Sequence, residues 1–180
     1  MKKATQILMA VIMITLIGTT GISMADSTPY GAAGAALDEN LTIEEMLNYA
    51  IKDEYLAKAE YESIMAEFDT QRPYSNIIKS EATHISLLIP LFETYDFEIP
   101  FNDAATKVVL PDTLAETYTI GIEAEIANIE MYELFLDEVL PDDIRVVFER
   151  LKSASENHLK AFENASNRIS GVRGLRGKNR

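Results

Sequence analysis

Glu54, Glu81, His84, Glu125 and His158 are the residues whose types and spacing suggest chemistry in this 180-residue chain. Glu81 and His84 stand three apart, so on a helix both project from one face. The chain has two histidines in all, and both belong to this set. Carboxylate oxygens and imidazole nitrogens together suit iron, manganese or zinc. With no cysteine anywhere, thiolate chemistry and disulfide stabilisation are both excluded. The spacing alone assigns a metal-ligating role to the five and no catalytic residue.

For five such residues to meet, the chain must carry them on inward faces. Four long segments show apolar residues recurring at intervals of three and four, the helical period. The first opens on the capping box Thr42-Ile43-Glu44-Glu45 and runs to about Phe68. The second runs from about Tyr74 to Tyr95, with Pro90 expected to kink it. A second capping box, Thr113-Leu114-Ala115-Glu116, opens the third, which should end near Val139. The fourth is expected from Asp142 to about Arg168, with Gly171 beyond its end.

Short links pair helices one with two and three with four. Residues 96–112 between the pairs are long enough to travel the length of the helices. The spacing therefore predicts an all-α four-helix bundle of two antiparallel hairpins joined by a long crossover.

On a helical wheel each apolar stripe has one or more polar residues at its centre. Glu54 lies among Leu47, Ala50, Ile51, Ala57, Tyr61, Met65 and Phe68. Glu81 and His84 lie among Tyr74, Ile77, Ile78, Ile85, Leu88 and Phe92. Glu125 lies among Tyr118, Ile122, Ile129, Tyr132, Leu136 and Val139, with Asn128 beside it. His158 lies among Val147, Leu151, Ala154, Ala161, Phe162 and Ala165, with Ser155 beside it. Burying carboxylates without partners costs several kcal/mol each, roughly the scale of total stability. A shared cation is the economical solution.

Each residue alone has a plainer reading. Glu54 could pair with Lys58 a turn later, Glu81 and His84 could simply hydrogen-bond, and His158 could be a core histidine. Tyr61 and Tyr132 read as core residues, and Glu123, Glu116 and Glu130 fall on an outer face.

The first 25 residues have the pattern of a signal peptide: Lys2 and Lys3, an apolar run from Ile7 to Ile17, and small residues around Ser23-Met24-Ala25. The apolar run is short for a membrane span. A mature exported chain beginning at Asp26 is expected, without a stable membrane span once the signal is cleaved. Residues 26–40 read as a flexible leader, 41–168 as the bundle and 169–180 as a basic tail. Loss of Lys2 and Lys3 takes the net charge from −13 to −15. So negative a body repels phosphate, which argues against nucleic acid and for a metal cation as partner. An oligomer is compatible with the sequence.

Four runs, Asp53-Glu54-Tyr55-Leu56-Ala57, Ser80-Glu81-Ala82-Thr83-His84, Gly121-Ile122-Glu123-Ala124-Glu125 and Ser155-Glu156-Asn157-His158-Leu159-Lys160-Ala161-Phe162, resemble an uncharacterised prokaryotic family, DUF2202, of the ferritin-like superfamily. The resemblance covers about Leu41 to Ala165, and the Ser155–Phe162 run is its most specific part. It implies a ferritin-like fold and a carboxylate-bridged metal centre, with iron the first expectation and manganese or zinc the alternatives.

Ferritin-like di-iron proteins place one Glu on each of two helices and a Glu-x-x-His pair on each of the other two. Here Glu54, Glu81, His84, Glu125 and His158 match, while Ser155 stands where the second bridging glutamate belongs. Glu156 comes one residue too late and points outward. One tightly bound cation with a weaker second site is the expectation that follows. A storage or binding role, a metal-dependent oxidoreductase (ferroxidase or peroxidase-like) and a metal-free helical interaction module are the three functions in view.

Overall fold

The computed structural model describes residues 30–176, with side chains as far as Gly171. The signal-peptide expectation therefore lies outside the described residues. Among these there are five α-helices, one short 3-10 turn and no strand, so the chain is all-α. The helices are α1 (Gly31–Ala35), α2 (Ile43–Phe68), α3 (Tyr74–Thr94), α4 (Leu114–Leu136) and α5 (Asp142–Arg176), with the 3-10 turn at Ala104–Thr106. None is long and apolar enough to cross a membrane.

Both capping boxes form. The Thr42 hydroxyl accepts from the Glu45 backbone N–H at 3.2 Å, and the Glu45 carboxylate accepts from the Thr42 N–H at 2.8 Å. At α4 the same exchange joins Thr113 and Glu116 at 3.3 and 3.0 Å. Each box satisfies two of the donors a helix start leaves open. At the far end of α2, Asp69 turns into the left-handed region (φ 44°) and stops the helix.

The core falls into two apolar clusters. One is built on Leu47, Ile51, Leu88, Phe92, Tyr132, Phe135, Phe148 and Leu151. The other is built on Tyr61, Ile64, Tyr74, Ile77, Tyr118 and Phe162. Their order along each helix gives the topology. α2 and α5 run from the first cluster to the second, and α3 and α4 run from the second to the first. The helices of each hairpin are thus antiparallel. The link between α3 and α4 must bring the chain back: Phe97 and Ala104 pack on the first cluster and Leu110 on the second. The link thus passes from the first cluster to the second.

Three boundaries differ from expectation. The expected leader contains a short helix, Gly31–Ala35, with Ala35 fully buried against the first cluster. Its small residues allow close approach. The Ala32 N–H donates to Asp53 Oδ1 at 2.8 Å, and a Cβ at Gly31 (φ 54°) would collide with that carboxylate.

Helix α4 stops at Leu136, so Val139 is no part of the apolar stripe and stands 95% exposed. Arg145 explains the stop, its guanidinium donating to the carbonyls of Leu136 (3.1 Å) and Glu138 (3.0 Å), which the helix end leaves without partners.

Helix α5 passes Arg168 and continues to Arg176, so the first part of the expected tail is helical. Gly171 does not adopt the left-handed conformation through which glycine ends helices.

A candidate metal centre between two apolar clusters

On every long helix the polar residues fall where one apolar cluster gives way to the other. Glu54 lies between Ile51 and Tyr61, Glu81 and His84 between Ile77 and Leu88, Glu125 between Tyr118 and Tyr132, and His158 between Leu151 and Phe162. The two clusters clamp this layer from above and below. All five residues predicted from sequence are buried, and the structure brings all five together.

Glu81 is the centre of the arrangement. Its Oε2 is 2.8 Å from His84 Nδ1 and its Oε1 is 3.2 Å from His158 Nδ1. Glu54 Oε2 completes one side, 3.0 Å from His84 Nδ1. Glu125 Oε1 completes the other, 3.4 Å from His158 Nδ1. Two trios result, Glu54–Glu81–His84 and Glu81–Glu125–His158, each with ligand atoms within 4.8 Å of one another. Each could hold a metal ion, and Glu81 is common to both.

The surroundings repeat with the same symmetry, and the sequence carries that symmetry as a repeated interval. A tyrosine follows Glu54 by seven residues and another follows Glu125 by seven. Each reaches across to the opposite glutamate: Tyr61 donates to Glu125 Oε1 at 3.0 Å and Tyr132 to Glu54 Oε1 at 2.8 Å. They are core residues, as expected, but they also hold the carboxylates that could ligate metal. Ser80 Oγ lies 3.1 Å from His84 Nε2, which leaves Nδ1 directed at the carboxylates. The two imidazoles stack with centroids 5.8 Å apart.

The symmetry breaks at Ser155. It is buried in the position equivalent to Glu81, and its hydroxyl donates only to the Leu151 carbonyl, at 3.3 Å. Glu156 faces outward and pairs with Lys152 at 3.5 Å. The plainer reading of Glu54 also fails, because Lys58 pairs with Glu62 instead, at 2.6 Å.

Electrostatics follow from burial and crowding. Burial pushes Glu54 above the usual carboxylate range, and the neighbouring Glu81 charge pushes it further. Burial pushes Glu81 up as well, but its hydrogen bonds to His158 and His84 outweigh this and hold it low. Burial likewise opposes a charge on the imidazoles, yet their carboxylate partners raise His84 to about 9 and His158 to about 10. Burial raises Glu125 too, against the lowering effect of His158, so without metal the layer favours protons on its imidazoles and on Glu54. Metal must displace those protons to bind.

One carboxylate oxygen has nothing to bond. Glu125 Oε2 is shut off from solvent and lacks any hydrogen-bond partner, as does Asn128 Oδ1. A buried acceptor left unpaired costs about 1–3 kcal/mol, and a cation in the adjoining trio would satisfy the carboxylate oxygen.

Two openings reach the layer. A cleft of about 480 Å3 between α3 and α5 is lined by His158 and Ser80, with Arg72 and Arg168 also on its wall. A smaller cavity lies on the side of α1, α2 and α4, against Glu125.

No family model matches the chain. It is similar to an uncharacterised protein of Methanocaldococcus jannaschii, 25% identical over 126 residues, which is 62% of this chain and 68% of that protein. The crystal structure of that hypothetical protein is also similar, with a TM-score of 0.65 at 22% identity over 74% of this chain and 85% of that one. This likeness concerns the fold.

Proposed function

We propose that the chain is a ferritin-like four-helix bundle of the DUF2202 kind, and that its Glu/His layer binds divalent metal in a storage or binding role, with iron the first choice and manganese or zinc the alternatives. The observation that carries this reading is Glu81, which turns one oxygen to each imidazole while Glu54 and Glu125 close the two sides. The antiparallel hairpins and returning crossover support the bundle topology. The pattern of residues 1–25 assigns the role to the exterior of the cell.

Ser155 removes a bridging carboxylate, which is why the sequence predicts one tight cation and a weaker second site. The placement of Glu81 between two trios supports that order, with two positions filled one after the other. The first cation finds a carboxylate, an imidazole and one oxygen of Glu81. The second finds the mirror set, but three carboxylates cannot balance two divalent charges, so it binds more weakly. Anaerobic calorimetric titration with Fe2+ or Mn2+ is expected to give two cations per chain, the second at least about tenfold weaker. His84→Ala and His158→Ala should each remove one. Titrations without binding heat, or unchanged in the double variant, would contradict the proposal.

A redox role is the second reading, favoured by the cleft that exposes the His158 side of the layer to small molecules. A bound iron would supply one-electron chemistry there. Glu54, Glu81, Glu125 and the two histidines would hold it, and Tyr61 and Tyr132 would fix the orientation of the carboxylates.

A further inference from the structure

The cleft between α3 and α5 measures about 480 Å3, within the ~300–1,000 Å3 of small-molecule sites. The chain has 29 acidic residues, yet none among the described residues lines this cleft. Arg72 and Arg168 do line it, and neither is in an ion pair among the described residues. On α5, His158, Ala161, Ala165 and Arg168 follow at intervals of three, four and three, so they form one stripe with alanine at its middle. The small alanines leave the space open, and the amides of Asn76 and Asn164 border it. Arg168 comes ten residues after His158, about 15 Å along the helix at ~1.5 Å per residue. The cleft therefore runs from a guanidinium end to an imidazole end.

His158 supplies an independent observation. It is only 7% exposed, and its Nδ1 is turned inward to Glu81 and Glu125. Its Nε2 has no hydrogen-bond partner among the described residues, whereas Nε2 of His84 lies 3.1 Å from Ser80 Oγ. Nor is it one of the unpartnered side-chain atoms that the fold seals from solvent, which are the Tyr30 hydroxyl, Glu125 Oε2 and Asn128 Oδ1. A ring nitrogen of a residue more than nine-tenths buried is thus open, unpartnered and directed into the cleft.

We propose that this cleft binds a small organic anion, with one acidic group held by Arg72 and Arg168 and an oxygen of its other end at His158 Nε2. Guanidinium forks match the oxygens of carboxylates and phosphates, and the asparagine amides can donate to either. The net negative charge of the chain repels anions, so these local groups must supply the attraction. Behind the ring, the charges of Glu81 and Glu125 oppose an anion at Nε2. A cation in their trio offsets them, and with Nδ1 given to that cation Nε2 keeps the ring's hydrogen and donates it. Anion and metal should then tighten each other's binding by the same factor. The anion site stands on the geometry of the cleft, and only this coupling rests on the metal-centre reading.

The test is calorimetric titration of the full chain, dialysed free of metal and chelator, with succinate and with 2-phosphoglycolate at fixed ionic strength. One anion per chain is expected, with a dissociation constant of ~1 mM or tighter. The tighter of the two tells whether the arginines take a carboxylate or a phosphate. Arg72→Gln and Arg168→Gln should each weaken binding at least about tenfold. Arg150→Gln, an exposed position of α5 outside the cleft, should leave it within about twofold. In 15N spectra of histidine-labelled protein, Nε2 of His158 should shift as the anion saturates while His84 stays in place. Zn2+-loaded protein should bind the anion about fivefold more tightly than the metal-free chain.

Failure of both anions to saturate the metal-free chain would overturn the proposal. So would equal weakening by Arg150→Gln, which would mean general charge attraction, or saturable binding that leaves His158 unshifted. Equal anion affinity with and without bound Zn2+ would overturn the coupling. A chain that takes up no Zn2+ would refute the metal centre, while the titrations of the metal-free chain would still decide the cleft.

Discussion

Chelated protein is expected to melt well below metal-loaded protein, and the gap should widen as pH rises from 6 to 9. Metal at 100 times its dissociation constant adds about 2.7 kcal/mol, which for a domain of this size raises the melting temperature by roughly 5–10 °C. The pH trend comes from protons the metal displaces. Without metal, His84 and His158 are raised to about 9 and about 10 by their carboxylate partners. A raised histidine stabilises the fold fully below its unfolded value of about 6.5, and that stabilisation is lost as pH climbs through the folded value. Glu54, pushed up by burial and by Glu81, loses stability in the same direction, because the unfolded chain ionises first. Glu81, held low, acts only on the acid side, where its contribution disappears as pH falls below the ordinary carboxylate range.

The metal-free fold therefore weakens above about pH 6.5, while metal meets fewer competing protons and binds more tightly. Differential scanning calorimetry with and without chelator, across pH, reads both effects. Of His84→Ala and His158→Ala, the one that loses the tighter site should remove most of the gain and the other a smaller part. Melting curves that ignore chelator at every pH would leave a metal-free module of imidazolium–carboxylate pairs.

Ser155→Glu should convert the uneven pair of sites into a matched one. Ser155 precedes His158 by three, as Glu81 precedes His84, and its buried hydroxyl meets only a backbone carbonyl of its own helix. A fourth carboxylate balances two divalent charges, so the second cation should bind at least about tenfold more tightly. Without metal the same change is costly. It adds volume to a packed interior, about 1–3 kcal/mol, and brings a carboxylate into a layer where burial and Glu81 already push Glu54 above the usual carboxylate range. The variant should melt below wild type when chelated and at or above it when loaded, a crossing that simple damage cannot produce. Glu156→Gln, on the outer face beside Lys152, should change neither property. An unchanged second affinity in Ser155→Glu would mean that the bridge is not what limits the second site.

Much of this was legible in the chain itself. A carboxylate or imidazole at the centre of an apolar stripe is conspicuous, and two capping boxes fixed the starts of α2 and α4. What escaped has physical reasons. Residues 31–35 are glycine and alanine, a composition that reads as linker, yet small size is what lets α1 seat against Asp53. The end of α4 depends on Arg145, nine residues beyond Leu136, so Val139 looked like part of the stripe. A helical wheel gives the face of Glu81 but not which oxygen meets which imidazole, so Glu81 as a shared group required the neighbouring helices. The crossed tyrosines were encoded in a repeated interval of seven but gained meaning only from partners 64 and 78 residues away.

Anomalous X-ray scattering at the metal absorption edge, from crystals of protein loaded with Mn2+ or Co2+, tests the central claim most directly. Peaks should appear beside Glu81, the stronger within ligand distance of one imidazole and its glutamate, and any weaker one beside the mirror pair. Occupancy in His84→Ala and His158→Ala crystals should fall on the side of the missing ring. A structure in which this layer scatters no differently at the edge, with His84 and His158 still hydrogen-bonded to their glutamates, would contradict the account.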